Sequence, residues 1–306
     1  MTARPSSQGA EPRITGRAVA WVLAARPKTL PAASAPVLLG SACAAAAGGF
    51  RLHPALAALL GALLIQIGTN LWNDVADFER GTDTAARVGP TRVTQAGLLT
   101  PRQVRAGAAV AFALAVAVGV YLTAVAGWPV VAIGMASILA GLAYTGGPWP
   151  LSHHGLGEPF VLIFFGFVAV AGTSFVQAGT IPASAWWGGL VSGAFSTAIL
   201  VVNNTRDHAT DRAAGRKTLP ARLGRGAGVV ELVTCLAVAY LGTVAVVVSG
   251  AASRWALLAL LTAPAGVMLA RTVWRRDDGE TLNRALAHTG QLLLAHNALL
   301  SVGMLL

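Results

Sequence analysis

The 306-residue sequence contains little charge. Only 11% of its residues are Asp, Glu, Lys or Arg, whereas 55% are hydrophobic. A soluble domain averages about 25% charged residues. Long apolar runs recur along the whole chain, and about 20 apolar residues are enough for a helix to cross a bilayer. The shortage of charge therefore excludes a soluble domain and predicts an all-α, polytopic membrane protein.

Cysteine and recognisable catalytic motifs are also scarce. The two cysteines, Cys43 and Cys235, lie in apolar runs without metal-ligand spacing, so we expect buried structural residues and no zinc site. The sequence has no Ser-His-Asp arrangement, phosphate-cradling glycine loop or nucleotide-binding motif. Residues 1–17 are polar and lack the apolar core of a signal peptide. We predict a disordered tail there, followed by a single membrane domain over residues 18–306.

The apolar runs predict nine helices and a membrane orientation. The predicted helices are residues 30–48, 54–73, 105–125, 128–145, 159–178, 184–203, 228–249, 254–271 and 285–305. With a cytoplasmic N-terminus, 20 of the 22 Lys and Arg residues fall on the cytoplasmic side, and only Arg51 and Arg254 face the other side. The positive-inside rule therefore predicts a cell-membrane protein with its C-terminus outside. The net charge of +10 reflects this orientation and headgroup contact, and it carries no nucleic-acid signature.

Two groups of acidic and amide residues interrupt the apolar pattern. The first cluster comprises Asn70, Asn73, Asp74 and Asp77, and it is followed by Asp83. The second cluster comprises Asn203, Asp207 and Asp211. A charged side chain at the bilayer centre costs roughly 2.5–3.5 kcal/mol on insertion scales, so such residues commonly mark functional sites. In the alternative interpretation, these acids only cap helix ends or pair with Arg80, Arg206 and Arg212.

The spacing within each cluster indicates metal binding. Residues three and four positions apart share one face of a helix, so each cluster predicts a row of oxygen atoms, the second one as a continuation of the sixth helix. Carboxylate and amide oxygens are ligands that hard cations prefer, and Mg²⁺ is commonly held by one or two carboxylates together with substrate phosphates. Two facing clusters therefore predict a pocket for Mg²⁺ and a diphosphate.

The two clusters also suggest an internal repeat. They end the second and sixth predicted helices, and Asn73 and Asn203 are 130 residues apart. A unit of four helices that occurs twice, followed by a ninth helix, explains this spacing. Coincidence in a sequence rich in Ala, Val and Leu is the alternative.

Basic residues near the clusters are candidates for binding the diphosphate. Two loops supply them, and the candidates are Arg87, Arg92, Arg206, Lys217 and Arg222. Arginine can bind phosphate oxygens in a bidentate manner, and lysine binds them as a point charge. The alternative is that these charges only set the membrane orientation. Arg26 and Lys28, just before the first predicted helix, can line the same opening. Tyr144 is either a contact to a phenolic or cationic group or an interfacial tyrosine.

Six segments in a fixed order carry a family resemblance. They are Ala25-Arg26-Pro27-Lys28-Thr29-Leu30-Pro31, Asn73-Asp74-x-x-Asp77-x-x-x-Gly81-x-Asp83, Arg87-x-Gly89-Pro90-x-Arg92, Tyr144-Thr145-Gly146-Gly147-Pro148, Gly155-Leu156-Gly157-Glu158, and Asn203-Asn204-x-Arg206-Asp207-x-x-x-Asp211-x-x-x-Gly215-x-Lys217-Thr218-Leu219. Over roughly residues 18–305 the chain resembles the UbiA superfamily of intramembrane aromatic prenyltransferases. Within it, the resemblance is greatest to the branch that prenylates 1,4-dihydroxy-2-naphthoate in menaquinone biosynthesis.

The resemblance implies a fold and a reaction. The expected fold is nine helices around a central cavity, which cytoplasmic loops cover and which opens sideways to lipid. The expected reaction joins the chain of a polyprenyl diphosphate to 1,4-dihydroxy-2-naphthoate, with loss of CO₂ and diphosphate, and gives a demethylmenaquinone. Mg²⁺ is the implied cofactor, the two substrates and the lipid bilayer are the implied partners, and nucleic acid is not among them.

The resemblance also implies roles for individual residues. The expected metal ligands are Asn73, Asp74, Asp77, Asp83, Asp207 and Asp211, of which Asn73, Asp77, Asp207 and Asp211 are the catalytic set. The expected diphosphate ligands are Arg87, Arg92, Arg206, Lys217 and Arg222. The aromatic acceptor is expected to contact Arg26, Lys28, Asn70 and Tyr144. The wider superfamily commonly has an aspartate where this chain has Gly81; the acid appears at Asp83 instead, as in the naphthoate branch.

Two alternatives belong to other groups of proteins. One is a UbiA branch with a different aromatic acceptor, such as 4-hydroxybenzoate or homogentisate. The other is a cation transporter whose acids bind ions within the membrane. The position of both clusters at the cytoplasmic ends of helices disfavours the transporter, and the segments around Gly89 and Gly146 disfavour another branch.

Overall fold

The computed structural model describes residues 16–81 and 89–306, and these residues form a helical bundle that contains no strand. The helices are α1 (Arg17–Ala25), α2 (Leu30–Ala46), α3 (Leu52–Glu79), α4 (Pro101–Ala126), α5 (Pro129–Thr145), α6 (Gly157–Val161), α7 (Ala169–Ala178), α8 (Ala183–Arg206), α9 (His208–Ala213), α10 (Leu219–Leu223), α11 (Arg225–Val248), α12 (Ala263–Arg275) and α13 (Gly279–Leu305). A π-helical segment, Leu162–Val168, joins α6 to α7, and a 3₁₀ segment, Arg254–Thr262, leads into α12.

Every predicted helix overlaps a helical element, but the predicted number of membrane spans is not confirmed. In the described part of the chain, seven segments are long and apolar enough to cross a membrane. They are Arg17–Ala46, Leu52–Glu79, Pro101–Ala126, Gly157–Ala178, Ala183–Arg206, Arg225–Val248 and Arg254–Arg275. α5 is apolar but shorter, and α13 is long but more polar in sequence.

The N-terminal region differs from its prediction. Helical structure already begins at Arg17, before the first predicted helix, whereas residues 1–15 lie outside the described part. Arg26 separates α1 from α2 because its backbone adopts the left-handed conformation, with φ of 54°. A non-glycine residue rarely adopts this conformation, which is commonly held by its surroundings at functional sites. The break directs residues 26–29 towards α3.

α8 is the central helix of the bundle. It packs against α2, α11, α13 and the π-helical segment, and most of its side chains are buried. The largest apolar cluster surrounds Phe195, which is fully buried and lies against Tyr240 and His296. α3 and α4 form a second packed pair beside it. The acid-bearing ends of α3 and α8 are thereby held on rigid helices.

A smaller apolar cluster fixes the loop that precedes α4. Val93 and Leu99 from this loop pack against Leu71 and Val75 of α3. α4 then begins at a capping box, in which Thr100 and Gln103 each bond the other's backbone N–H. The loop that carries Arg92 is therefore attached to the end of α3.

The main cavity lies between α2, α3, α4, α5, α8 and the Gly157–Ala178 helix, and its volume is about 440 Å³. The end beside the acidic clusters is polar, while the walls towards the other end of the bundle are apolar. Leu122, Val130 and Val176 form the deep apolar end. α5 touches the Gly157–Ala178 helix at few positions, so the cavity wall is thin between these two helices.

Close packing between the π-helical segment and α8 depends on glycine. A Cβ atom on Gly193 would lie 2.7 Å from the carbonyl oxygen of Leu162, and one on Gly166 would lie 2.8 Å from the Cα of Gly193. Real Cβ atoms do not approach backbone atoms so closely, so a side chain at either position would push the helices apart. The wall of the cavity thus owes its position to these glycines.

We expect Gly193→Val to destabilise the protein by about 1–3 kcal/mol, because the added side chain overpacks a rigid backbone contact. Thermal unfolding of the purified variant in detergent measures this effect. Gly226→Ala is the control, because a Cβ atom at this helical position meets no other atom within 4 Å. Equal unfolding temperatures for Gly193→Val and the wild type would contradict the close contact.

Candidate active site

The first acidic cluster lies on the last turns of α3. Asn73 and Asp77 both line the cavity, and their side chains are buried. The hydroxyl of Thr145 donates a hydrogen bond to Oδ1 of Asn73 at 2.5 Å. Asp77 accepts from Nη2 of Arg92 through Oδ2 at 2.9 Å. These contacts orient two oxygen-bearing side chains towards the same space.

Asp74 has different surroundings from its neighbours in the cluster. Its two carboxylate oxygens accept the backbone N–H groups of Val93 and Thr94, at 3.2 and 3.0 Å. Nη2 of Arg26 lies 4.0 Å away. The carboxylate is 1% exposed and does not line the cavity. Asp74 therefore anchors the loop before α4, and its assignment as a metal ligand remains a prediction that these contacts do not favour.

The second cluster lies where α8 ends. The expectation that it continues a single helix was wrong, because α8 ends at Arg206 and Asp211 belongs to the short helix α9. The spacing nevertheless survives the break. The backbone N–H of Asp207 bonds the carbonyl of Asn203 at 3.0 Å, and that of Asp211 bonds the carbonyl of Asp207 at 2.8 Å. Asn203 and Asp207 line the cavity, and Asp211 lies behind them.

Arg206 holds the second cluster in place. Its guanidinium donates to both oxygens of Asp207, to Oδ1 of Asn203 and to Oδ1 of Asn283, at 2.6–2.8 Å. The side chain is 1% exposed and does not line the cavity. Arg206 was expected to bind diphosphate, but its described contacts instead fix the orientation of two cavity-lining oxygen donors.

Arg216 shows that the two clusters face each other. Its Nη2 lies 3.3 Å from Oδ1 of Asp77, and its Nη1 lies 3.5 Å from Oδ1 of Asp211. Gly215 ends α9 with φ of 72°, and the backbone N–H of Arg216 bonds the carbonyl of Asp211. This is the geometry of a Schellman cap, for which glycine is favoured. The cap turns Arg216 back towards the acids.

The other predicted diphosphate ligands are placed as follows. Arg92 is buried and lines the cavity. Lys217 and Arg222 are exposed and are not on the cavity wall. The sequence therefore predicted Lys217 as a diphosphate ligand, whereas the structure brings its neighbour Arg216 to the cavity. Asp83 and Arg87 lie outside the described residues.

The predicted acceptor residues form a second polar patch on the cavity wall. Nδ2 of Asn70 donates to the carbonyl of Ala25 at 2.9 Å and to Oγ1 of Thr29 at 3.0 Å. Arg26 lines the cavity beside them, as does Gln66, which the sequence reasoning missed although it precedes Asn70 by one helical turn. Lys28 is exposed and does not line the cavity.

A third polar patch on the cavity wall contains Tyr144, Glu158 and Asn204. Tyr144 lines the cavity near the start of α6, and Oε1 of Glu158 accepts a hydrogen bond from Nδ2 of Asn204 at 2.7 Å. Nearby, burial and then the positive charge of Arg216 hold the pKa of His153 below its usual range. His153 is thus neutral at pH 7 and adds no charge to the site. The sequence motif contains Asn204, but the sequence predicts no role for it.

The site fits a hard divalent cation. Its cavity-lining donors are the amide oxygens of Asn73 and Asn203 and the carboxylates of Asp77 and Asp207. The guanidinium of Arg216 joins Asp77 to Asp211 of the second cluster. Oxygen donors of this kind suit Mg²⁺ when a phosphorylated ligand completes the coordination. Within the described residues no group of three or more His, Cys, Asp or Glu side chains forms a metal site by itself. The described residues therefore supply only part of a coordination shell.

The chain is similar to known proteins in sequence and in fold. The model of the UbiA prenyltransferase family matches residues 33–295. A 1,4-dihydroxy-2-naphthoate octaprenyltransferase from Mycobacterium tuberculosis is 38% identical over 278 residues, 90% of this chain and 92% of that protein. The Escherichia coli protein of the same name is 35% identical over 95% of this chain and 96% of its own. A UbiA homolog from Archaeoglobus fulgidus, solved with DMAPP and Mg²⁺, is similar in fold, with a TM-score of 0.64, 13% identity, and coverage of 92% and 99%.

The contacts of Asp74 predict a structural effect. Asp74→Ala leaves the backbone N–H groups of Val93 and Thr94 without their carboxylate, and hydrogen bonds to a charged group contribute about 1.5–3 kcal/mol. We expect limited proteolysis to cut the loop before α4 roughly tenfold faster or more. Asp277→Asn, at an exposed acid between α12 and α13, should leave the cleavage rate unchanged. Unaltered cleavage in Asp74→Ala would show that the loop does not depend on this carboxylate.

Proposed function

The chain belongs to the UbiA prenyltransferase family, and we propose that it transfers the chain of a polyprenyl diphosphate to 1,4-dihydroxy-2-naphthoate. The reaction releases diphosphate and CO₂ and gives the quinol form of a demethylmenaquinone. It is a step of menaquinone biosynthesis. Relatives that are 35–38% identical over most of the chain carry this activity in their names, which favours this acceptor over those of other branches and replaces the transporter alternative.

One observation carries the proposal: two acidic clusters face each other at one end of a cavity whose remaining walls are largely apolar. A polyprenyl diphosphate has the same division, with a highly charged head and a hydrocarbon tail. The head fits between Asp77 and Asp207, where Arg92 and Arg216 supply positive charge. The tail fits along the apolar walls towards Leu122 and Val130.

We assign the metal role to Mg²⁺, held by Asn73, Asp77, Asn203 and Asp207 together with the donor's diphosphate. When bound, Mg²⁺ neutralises the negative charge that develops on the leaving diphosphate. Asp211 supports the site through Arg216. Asp83 and Arg87 remain proposed contributors from the residues that follow α3.

The chain's own residues then control the reaction. The guanidinium groups of Arg92 and Arg216 stabilise the diphosphate oxygens as the allylic C–O bond breaks. The apolar cavity walls exclude water, so the allylic cation is not captured by it. Attack by the electron-rich naphthoate ring forms the new C–C bond. The electron pair of the ring–carboxylate bond then returns to the ring as CO₂ departs.

The patch around Arg26 is suited to hold the acceptor. The guanidinium of Arg26 can pair with the naphthoate carboxylate, while Asn70 and Gln66 offer amide groups to its hydroxyls. Tyr144 lies across the cavity and can contact a hydroxyl or the cation through its ring. Lys28 was predicted for the same patch, but it is exposed. We propose it only as a contact to the acceptor at the edge of this patch.

The membrane orientation follows from the charge pattern. The protein is an integral membrane protein. We propose that its N-terminus is cytoplasmic, that its C-terminus lies outside, and that the active site opens on the cytoplasmic side of the cell membrane. The basis is that the predicted helices place 20 of the 22 Lys and Arg residues on the same side as the acidic clusters.

Replacement of the acids tests the metal site. We expect Asp77→Asn and Asp207→Asn each to lower turnover by about 10²-fold or more, because each removes a carboxylate from the metal and diphosphate site. Purified protein is supplied with Mg²⁺, dihydroxynaphthoate and a polyprenyl diphosphate, and prenylated naphthoquinone is measured. Excess EDTA should stop the wild-type reaction. Asp277→Asn, at an exposed acid between α12 and α13, is the matched control.

Near-normal turnover in either variant would remove that residue from the metal site. Product formed with 4-hydroxybenzoate but not with dihydroxynaphthoate would overturn the proposed acceptor.

A larger residue at Gly134 tests the path of the tail. Gly134 lines the cavity, and a Cβ atom there meets no other atom within 4 Å. It lies 11 residues from the end of α5, or about 16 Å at 1.5 Å per residue. We expect Gly134→Leu to lower kcat/KM for geranylgeranyl diphosphate about tenfold, a difference of about 1.4 kcal/mol, and to leave dimethylallyl diphosphate nearly unaffected. Val131→Leu, on an exposed position of α5, is the control. An equal effect on both donors would contradict this tail path.

A further inference from the structure

The guanidinium of Arg216 bridges a carboxylate of the first cluster and a carboxylate of the second cluster. Two nitrogens of the same guanidinium lie 3.3 Å from Asp77 and 3.5 Å from Asp211. These two acids are far apart in the sequence and come from different helices, α3 and α9. At Asp77 the guanidinium therefore competes with a divalent metal ion for the same oxygen atoms.

Resting on the proposed function, we propose that Arg216 is an exchangeable counter-ion of the metal site. It holds Asp77 and Asp211 together before the donor binds, and it moves to the diphosphate when metal takes its place on the carboxylate. Arg216 is thus a positioning residue that makes tight metal binding depend on the presence of diphosphate.

The charge balance of the site supports this exchange. Within the described residues, the carboxylates of Asp77, Asp207 and Asp211 are in contact with three guanidinium groups, those of Arg92, Arg206 and Arg216. A divalent ion that arrives alone must displace Arg216 and leave its positive charge beside the metal. When a diphosphate arrives as well, the displaced guanidinium gains bidentate oxygen partners. Such coupling is reciprocal, so metal must equally favour diphosphate binding.

Longer contacts and greater exposure distinguish Arg216 from Arg206. The guanidinium of Arg206 makes four hydrogen bonds at 2.6–2.8 Å, and its side chain is 1% exposed. The side chain of Arg216 is 18% exposed, its contacts are longer, and its Nε is buried without a hydrogen-bond partner.

The backbone beneath this side chain is fixed. The N–H of Arg216 bonds the carbonyl of Asp211, and the N–H of Lys217 bonds the carbonyl of His153, both at 2.9 Å. The exchange of Arg216 for a metal ion therefore needs only a rotation of the Arg216 side chain. The backbone between α9 and α10 does not have to move.

Metal titrations without any prenyl substrate test the proposal. The purified protein in lipid nanodiscs is titrated with Mn²⁺, and electron paramagnetic resonance measures the free ion, first alone and then with inorganic pyrophosphate. A protein-free titration with the same pyrophosphate gives the Mn²⁺ that pyrophosphate alone removes, and this amount is subtracted. For the wild type we expect pyrophosphate to tighten Mn²⁺ binding about tenfold or more. Arg216→Gln should bind Mn²⁺ alone roughly tenfold more tightly than the wild type, and pyrophosphate should add less than about threefold.

Two further variants separate exchange from other effects. Arg212→Gln removes the same charge from an exposed position of α9 that contacts the carbonyl of Ala221, and it should titrate like the wild type. Arg216→Lys keeps the charge but loses the fork of donors, and its affinity for Mn²⁺ alone should lie between those of the wild type and Arg216→Gln. If Arg216→Gln does not fold, the difference between Arg216→Lys and the wild type decides the question.

Unchanged or weaker binding of Mn²⁺ alone in the Arg216 variants would overturn the proposal, as would the same increase in Arg212→Gln. The titration contains neither dihydroxynaphthoate nor a prenyl chain. A wild type that shows the coupling but forms no prenylated naphthoquinone would contradict the proposed function and leave the role of Arg216 intact.

Discussion

Compensation of negative charge inside an apolar bundle is the constraint on which the rest of the structure depends. Asp77 and Asp207 are kept at the mouth of the cavity by guanidinium groups, and Asp74 is kept by two backbone N–H groups. Breaking a buried ion pair by removal of one partner is far more costly than the pair itself is stabilising. The arginines therefore cannot be regarded as independent phosphate ligands, because each is also part of the support for an acid.

The same compensation divides the basic residues into two groups. Arg206 makes four short hydrogen bonds to Asp207, Asn203 and Asn283, so it orients oxygen donors of the second cluster and does not line the cavity. Arg216 bridges both clusters at longer distances and faces the cavity, so its contacts are replaceable. In the proposed mechanism a diphosphate that enters this site meets the guanidinium of Arg216, while Arg206 keeps the oxygen donors of the second cluster in place.

Much of this arrangement could be predicted from the sequence, and the limits have physical causes. Apolar run length gave the approximate positions of the helices, and the spacing of Asn73 and Asp77 gave their common face, because both depend only on local geometry. The roles of Asp74 and Arg206 could not be read in the same way. Their partners, such as Val93 and Asn283, are distant in sequence and are brought near only by packing. Lys217 and Arg216 are adjacent, and only the glycine cap decides which one faces the acids.

The position of the site at one end of an apolar cavity also limits how the reaction can be controlled. An allylic cation reacts with any nucleophile that reaches it, so ionisation without a bound acceptor would waste the donor. The cavity walls keep out water, but they do not by themselves prevent ionisation. If metal binds tightly only with diphosphate, as the bridge from Arg216 to Asp77 and Asp211 implies, the full charge that drives ionisation is assembled only around a correctly seated donor. In the proposed acceptor patch, Asn70 belongs to α3, the helix that carries the first cluster. Arg26 lies directly against α3, because Asn70 bonds the carbonyl of the preceding residue, Ala25. In the proposed arrangement α3 contributes both to the acceptor patch and to the metal site, which would place the ring next to the cation when that cation forms.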